Sequence, residues 1–130
     1  MKDTDLAYLA GFFDSRGSIF IKSYSTAEGD NYVLQVNVYE QDRSMLEDIE
    51  QSFHAGKINE SGQGFELRFG TTEGHRVLKL LLPYLRVKKP QAQLGIKFQE
   101  QKKRERPLSD AQRQWRRQCY EQMRALNAQK

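Results

Sequence analysis

Between Asp5 and Lys22 the apolar period of the chain changes from helical to alternating with no linker between. Leu6, Leu9, Ala10 and Phe13 fall on one helical stripe. Gly17 follows, and Ser18-Ile19-Phe20-Ile21-Lys22 continues with the alternation of a strand. The spacing predicts a short helix that is ended by a glycine and feeds at once into a strand. Gly17 suits the position after a helix, where φ is often positive. Gly11, in mid-helix, costs about 1 kcal/mol against alanine. Close approach of a second backbone is the packing reason that would explain it.

The strand runs from about Ser18 to Ser25, with Ile19 and Ile21 on one face and Phe20, Lys22 and Tyr24 on the other. Thr26 to Asn31 reads as a polar turn region. From Tyr32 to Glu40, Leu34, Val36 and Val38 alternate with Gln35, Asn37 and Tyr39, a half-buried pattern. The pair reads as a long antiparallel hairpin. Its outer face carries groups that donate and accept hydrogen bonds, as reading base edges requires, although a solvated sheet face has the same composition. From about Arg43 to Phe53 the period is helical on Met45, Leu46, Ile49 and Phe53, with Asp42 or Ser44 as cap. A second hairpin follows over residues 56–69, where Phe65-Glu66-Leu67-Arg68-Phe69 alternates strictly. Thr72 is the expected cap of a helix that holds Val77, Leu78, Leu80, Leu81 and Leu82 and closes near Pro83-Tyr84-Leu85. Pro90 opens another helix, Gln91 to about Arg104. Ser109 caps a last one, to about Asn127, with Trp115, Cys119, Met123 and Leu126 as its stripe.

The order α-β-β-α-β-β-α plus two C-terminal helices predicts an α+β fold: a four-stranded antiparallel sheet backed by helices, its other face free for a ligand. A length of 130 residues suggests one domain with its core over about residues 4–101. The net charge of +4 and pI near 9.2 permit a nucleic-acid partner without establishing one. One cysteine, Cys119, excludes an intramolecular disulfide and a cysteine-rich metal site, and fits an intracellular setting. No apolar run approaches the roughly 20 residues of a membrane span, and Asp3 and Asp5 sit where a signal peptide is basic or apolar. No membrane partner is expected. His54 and His75 are isolated and lack metal-site spacing.

The stretch Leu9-Ala10-Gly11-Phe12-Phe13-Asp14-Ser15-Arg16-Gly17 resembles the motif that names the LAGLIDADG homing endonucleases. Leu9, Ala10 and Gly11 match its opening; Phe12 and Phe13 stand for its two apolar letters, Asp14 for its first Asp and Gly17 for its final Gly. Residues Pro83 to Leu94 are similar to the family's third-helix region. The resemblance covers the whole core. It implies that a chain with one motif works as a homodimer on pseudo-palindromic double-stranded DNA, its motif helices packed together through small residues. Leu9, Ala10, Gly11, Phe12 and Asp14 then belong to the dimer contact. The implied chemistry is magnesium-dependent phosphodiester hydrolysis, in which the motif's second acid holds the ion against the scissile phosphates.

Arg16 stands where that acid belongs. A guanidinium has no acceptor and cannot ligate a cation. Cleavage is expected to be lost or weak and DNA binding retained, with Arg16 carrying its charge to a phosphate or a minor-groove edge. The alternative is an active endonuclease with a ligand from elsewhere, Glu40 or Asp14, assisted by the Ser15 backbone carbonyl. Register leaves open whether Glu40 or Gln41 fills the family's polar slot beside the bound water. Lys88 resembles the family's lysine that faces the phosphates, and Arg43 its basic neighbour. Strand parity and the resemblance together select Phe20, Lys22, Tyr24, Gln35, Asn37, Glu66 and Arg68 for base contact. The run Lys102-Lys103-Arg104 reads as a solvated helix end.

Overall fold

The structure, a computed structural model, describes residues 1–102 and 108–129. Helix α1 (Asp3–Arg16) passes directly into a hairpin of β1 (Gly17–Thr26) and β2 (Gly29–Glu40). Helix α2 (Arg43–Phe53) leads to the second hairpin, β3 (Lys57–Ser61) and β4 (Gly64–Phe69). Then come α3 (Thr71–Leu81), a single 3-10 turn (Leu82–Tyr84), α4 (Lys89–Gln101) and α5 (Asp110–Ala128). The four strands make one antiparallel sheet in the order β1-β2-β4-β3. The α+β architecture read from the periodicity is the one observed.

Strand parity divides the sheet as the alternation requires. Ile19, Ile21, Leu34, Val36, Val38, Leu67 and Phe69 are buried on one face, together with Leu9, Phe13, Leu46, Phe53, Val77, Leu78 and Phe98 from the helices. The opposite face carries Lys22, Gln35, Glu66 and Arg68 and stays open. Asp42 caps α2 by accepting from the Ser44 backbone N–H at 3.0 Å. Ser109 caps α5 by accepting from the Gln112 N–H at 3.1 Å.

Several local expectations are corrected. Gly17 has φ −84° and is the first residue of β1, so no left-handed turn separates helix from strand. Its need for glycine is steric: an added Cβ would lie 2.7 Å from the Phe13 ring. The expected turn at Thr26 to Asn31 shrinks to Ala27 and Glu28, because Gly29 takes φ +115° and Thr26 Oγ1 donates to the Gly29 carbonyl at 2.6 Å. Helix α3 starts one residue before Thr72, with Gly70 as its cap. Glu73 reaches back to accept from Gly70 N–H (3.1 Å) and Gly56 N–H (3.3 Å), tying the helix start to the second hairpin. In α4 the helix starts at Lys89 rather than Gln91 and ends at Gln101; Lys103 and Arg104 of the basic run lie outside the described residues. Lys102 is not simply solvated. Its ammonium donates to the Tyr32 carbonyl at 3.0 Å.

In α5 the buried positions are Gln112, Arg116, Cys119 and Met123. Trp115 is half-buried and stacked on Phe98 with ring centroids 5.6 Å apart, and Leu126 is half-buried. Arg116, only 3% exposed, donates to Gln112 Oε1 at 3.0 Å and to Asn31 Oδ1 at 2.9 Å. Asn127 donates to the Ile19 carbonyl at 2.9 Å, so the last helix covers part of the outer edge of β1.

Candidate nucleic-acid interface

The open sheet face is a set of rows fixed by register. One row reads Ser18, Asn37, Arg68, Lys57 from β1 to β3, and the next Tyr39, Glu66, Asn59 across three strands. Phe20 sits opposite Gln35, Lys22 opposite Val33, and Tyr24 opposite Asn31. Lys22 and Tyr24 are exposed, while Phe20 and Gln35 are half-buried. All seven residues chosen from strand parity therefore lie on this one face. Lys57, Asn59 and Tyr39 share it and were not singled out; alternation around the inward Ile58 and Val38 is the signal that places them.

These side chains are bonded to one another. Asn37 Nδ2 donates to Glu66 Oε2 at 3.2 Å, and Arg68 Nη2 lies 3.0 Å from Glu66 Oε1. Asn37 is only 8% exposed, so its amide lies beneath the surface it was expected to present. Arg68, by contrast, has 52% of its side chain exposed.

A second centre forms where α1 ends against the last residue of β2. Arg16 Nε lies 3.7 Å from Glu40 Oε2. The Arg16 side chain is 53% exposed and that of Glu40 15%. Glu40 Oε1 also accepts from the Gln41 backbone N–H at 2.8 Å, while the Gln41 residue itself is exposed. Asp14 faces the segment after the 3-10 turn: Oδ2 accepts from Arg86 N–H and Oδ1 from Lys88 N–H, each at 2.9 Å. Lys88 Nζ donates to the Asp14 carbonyl at 2.7 Å. Arg43 lies 5.4 Å from the centroid of the Phe65 ring and pairs with Glu47 at 3.9 Å. Ser15 is exposed.

The outward surface of α1 is small and partly apolar. Gly11 is exposed, and a Cβ built on it meets nothing within 4 Å. Ala7 and Tyr8 are exposed beside it, and Phe12 is half-buried. Leu9 and Ala10 are buried within the chain's own core. Their stripe is the one that seats α1 on the sheet; the stripe about 180° away remains free.

A sequence profile described as LAGLIDADG endonuclease matches residues 9–104. The chain belongs to the LAGLIDADG endonuclease family. No curated protein sequence matches it. Solved structures of the family share the fold at low identity. The homing endonuclease I-CvuI, in complex with the I-CreI target, matches with TM-score 0.85 and 23% identity over 98% of this chain and 84% of that one. The archaeal intron-encoded I-Vdi141I, complexed with DNA, matches with TM-score 0.83 and 14% identity over 97% and 86%. I-GzeII, in complex with its DNA target, matches with TM-score 0.73 and 20% identity over 88% of this chain but 43% of that one.

The I-CvuI complexes were obtained in the presence of 2 mM magnesium or calcium, so a divalent ion is the group to test against the residues here. The donor set here does not fit one. A hard cation wants several oxygen ligands with carboxylates among them. At the end of α1 stands the Arg16 guanidinium, which offers no oxygen, and Glu40 is already ion-paired with it. Both Asp14 oxygens accept backbone N–H groups of the 86–88 segment. Among the described residues no three His, Cys, Asp or Glu side chains gather into a cation site. No described helix is long and apolar enough to cross a membrane.

Proposed function

We propose that this LAGLIDADG chain binds double-stranded DNA sequence-specifically as a homodimer, and that its cleavage is lost or weak. The observation that carries the reading is the Arg16–Glu40 ion pair at the motif's end. It replaces an oxygen ligand by a fixed cation and neutralises the adjacent carboxylate. Two motif helices meeting at a two-fold axis would bring two Arg16 side chains together, and each arrives with its own Glu40 counter-charge.

The sheet supplies recognition. An antiparallel ribbon fits the major groove, where each base pair shows a distinct pattern of donors, acceptors and methyl groups. Lys22, Tyr24, Arg68 and Lys57 supply charge and donors along that face. Arg16 supplies charge at the centre. Arg16 is the open side of the pair, 53% exposed against 15% for Glu40, so a DNA phosphate can reach its free donors while Glu40 keeps its counter-charge. Lys88 and Asp14 fix the backbone on which Arg16 stands. The dimer is supported by the free, small-residue stripe around Gly11 and by the DNA-bound I-GzeII chain, of which this fold accounts for 43%. A dimer of this kind reads a pseudo-palindrome.

Selection of bound duplexes from a random pool, followed by magnesium-dependent nicking of the winners, tests the reading. The expected result is a pseudo-palindromic winner that the parent leaves intact and that Arg16→Asp cuts. Cutting by the parent that Glu40→Gln abolishes would replace this reading with an active endonuclease using Glu40. Failure to select any duplex would remove the DNA function.

A further inference from the structure

One cluster on the open sheet face has its acceptors turned inward. Glu66 Oε2 accepts from Asn37, and Glu66 Oε1 holds Arg68 Nη2. With the Gln35 amide turned so that its oxygen faces Arg68, that oxygen accepts from Arg68 Nε at 3.0 Å and from Nη2 at 3.2 Å. The guanidinium is held along two sides, and Nη1 has no bond to any described residue. A guanidinium nitrogen can only donate. Arg68 is also the most exposed member of the pair it forms with Glu66, at 52% against 21%.

A base edge that meets this cluster must therefore bring acceptors. In the major groove guanine shows two, O6 and N7; adenine shows one acceptor beside a donor, thymine one beside a methyl group, and cytosine a donor. We infer that the Gln35–Arg68–Glu66–Asn37 cluster selects guanine at one position of each half-site, with Arg68 reading the base and Glu66 positioning Arg68. The inference rests on the DNA-binding reading given above. Glu66 places a negative charge on a surface that faces phosphates, which weakens sequence-independent attraction. Its contribution is orientation: one carboxylate holds Arg68 and Asn37 together, and the row register sets where along the duplex Arg68 stands.

That division of labour has a signature that a merely structural role would not give. Glu66→Gln removes the repulsive charge and loosens Arg68 at once. Binding to random duplex should tighten, while preference at one base position per half-site should fall. The measurement is competition binding of the full chain on its selected duplex and on single-position variants of it, for the parent, Glu66→Gln and Arg68→Ala. Nη1 with its two hydrogens is what remains to donate, so the parent should prefer guanine at that position by about 5-fold, the low end of a bidentate contact. Both variants should bring the preference toward parity there and leave other positions unchanged, with Glu66→Gln alone gaining affinity for random duplex. Arg68 is half exposed, so its truncation leaves the fold intact. A parent site without that guanine, or a guanine preference that survives either variant, overturns the inference alone. A parent that selects no duplex overturns both it and the DNA-binding reading.

Discussion

Replacing Gly11 by alanine should move two quantities in opposite directions. Gly11 lies in the middle of α1, and its Cβ would enter open space in the single chain. Within the monomer the substitution only removes glycine's helix penalty, a gain of about 0.5–1 kcal/mol. For a chain of this size about 1 kcal/mol corresponds to about 3–4 °C in the melting midpoint. In a dimer whose motif helices touch at this residue, the methyl group would sit between two backbones. Overpacking costs about 1–3 kcal/mol, and two-fold symmetry counts it once per copy. The dimer dissociation constant should rise by about 30-fold or more. Sedimentation across a concentration series measures the dissociation constant. Thermal unfolding at a concentration below it isolates the monomer term. A variant that stabilised the monomer and left dimerisation unchanged would refute the placement of Gly11 at the axis. A variant that destabilised the monomer would refute the open space.

Other positions give sharper local tests. Gly17→Ala should destabilise the chain by about 1–3 kcal/mol in a denaturant titration, because its methyl group collides with the Phe13 ring, which is itself buried. Arg16→Ala should cost about 1–3 kcal/mol in the same titration, because Glu40, whose side chain is only 15% exposed, loses its counter-charge, and should weaken duplex binding and lower the slope of log affinity against log salt by about one per chain. Asp14→Ala removes the acceptor for two backbone N–H groups and should cost about 1–3 kcal/mol, with faster amide exchange at Arg86 and Lys88 as the residue-level readout. Glu73→Ala should cost about 1–2 kcal/mol in the same titration, since it frees the N–H groups of both Gly70 and Gly56.

Element type was legible where the apolar period was long. Strict alternation placed Leu34, Val36, Val38 and Leu67 inward, and the same parity put Lys22, Gln35, Glu66 and Arg68 on the free face. Details that depend on a neighbour were not. Gly17 looks like a helix stop in the sequence, but its constraint comes from an aromatic ring four residues earlier. The hairpin extends past its polar turn because Gly29 and Thr26 close it tightly. Asn37 alternates as an outward residue, yet Glu66, twenty-nine positions on, covers it. Arg116 and Gln112 carry no apolar signal and are buried because Asn31 and each other satisfy their polar atoms.

The sequence by itself determined the α+β order, the faces of each strand, and the presence of an arginine where the motif has an acid. Each follows from local spacing and residue chemistry, which one chain of letters carries in full. Only the tertiary structure decided what surrounds that arginine. Glu40 is twenty-four positions from Arg16, and the antiparallel register of β1 against β2 returns it to the helix end. Asp14 and Lys88 are seventy-four apart, and packing of the segment after the 3-10 turn against α1 joins them. The balance of charge at a site is a sum over groups distant in sequence, so it exists only once the chain has folded.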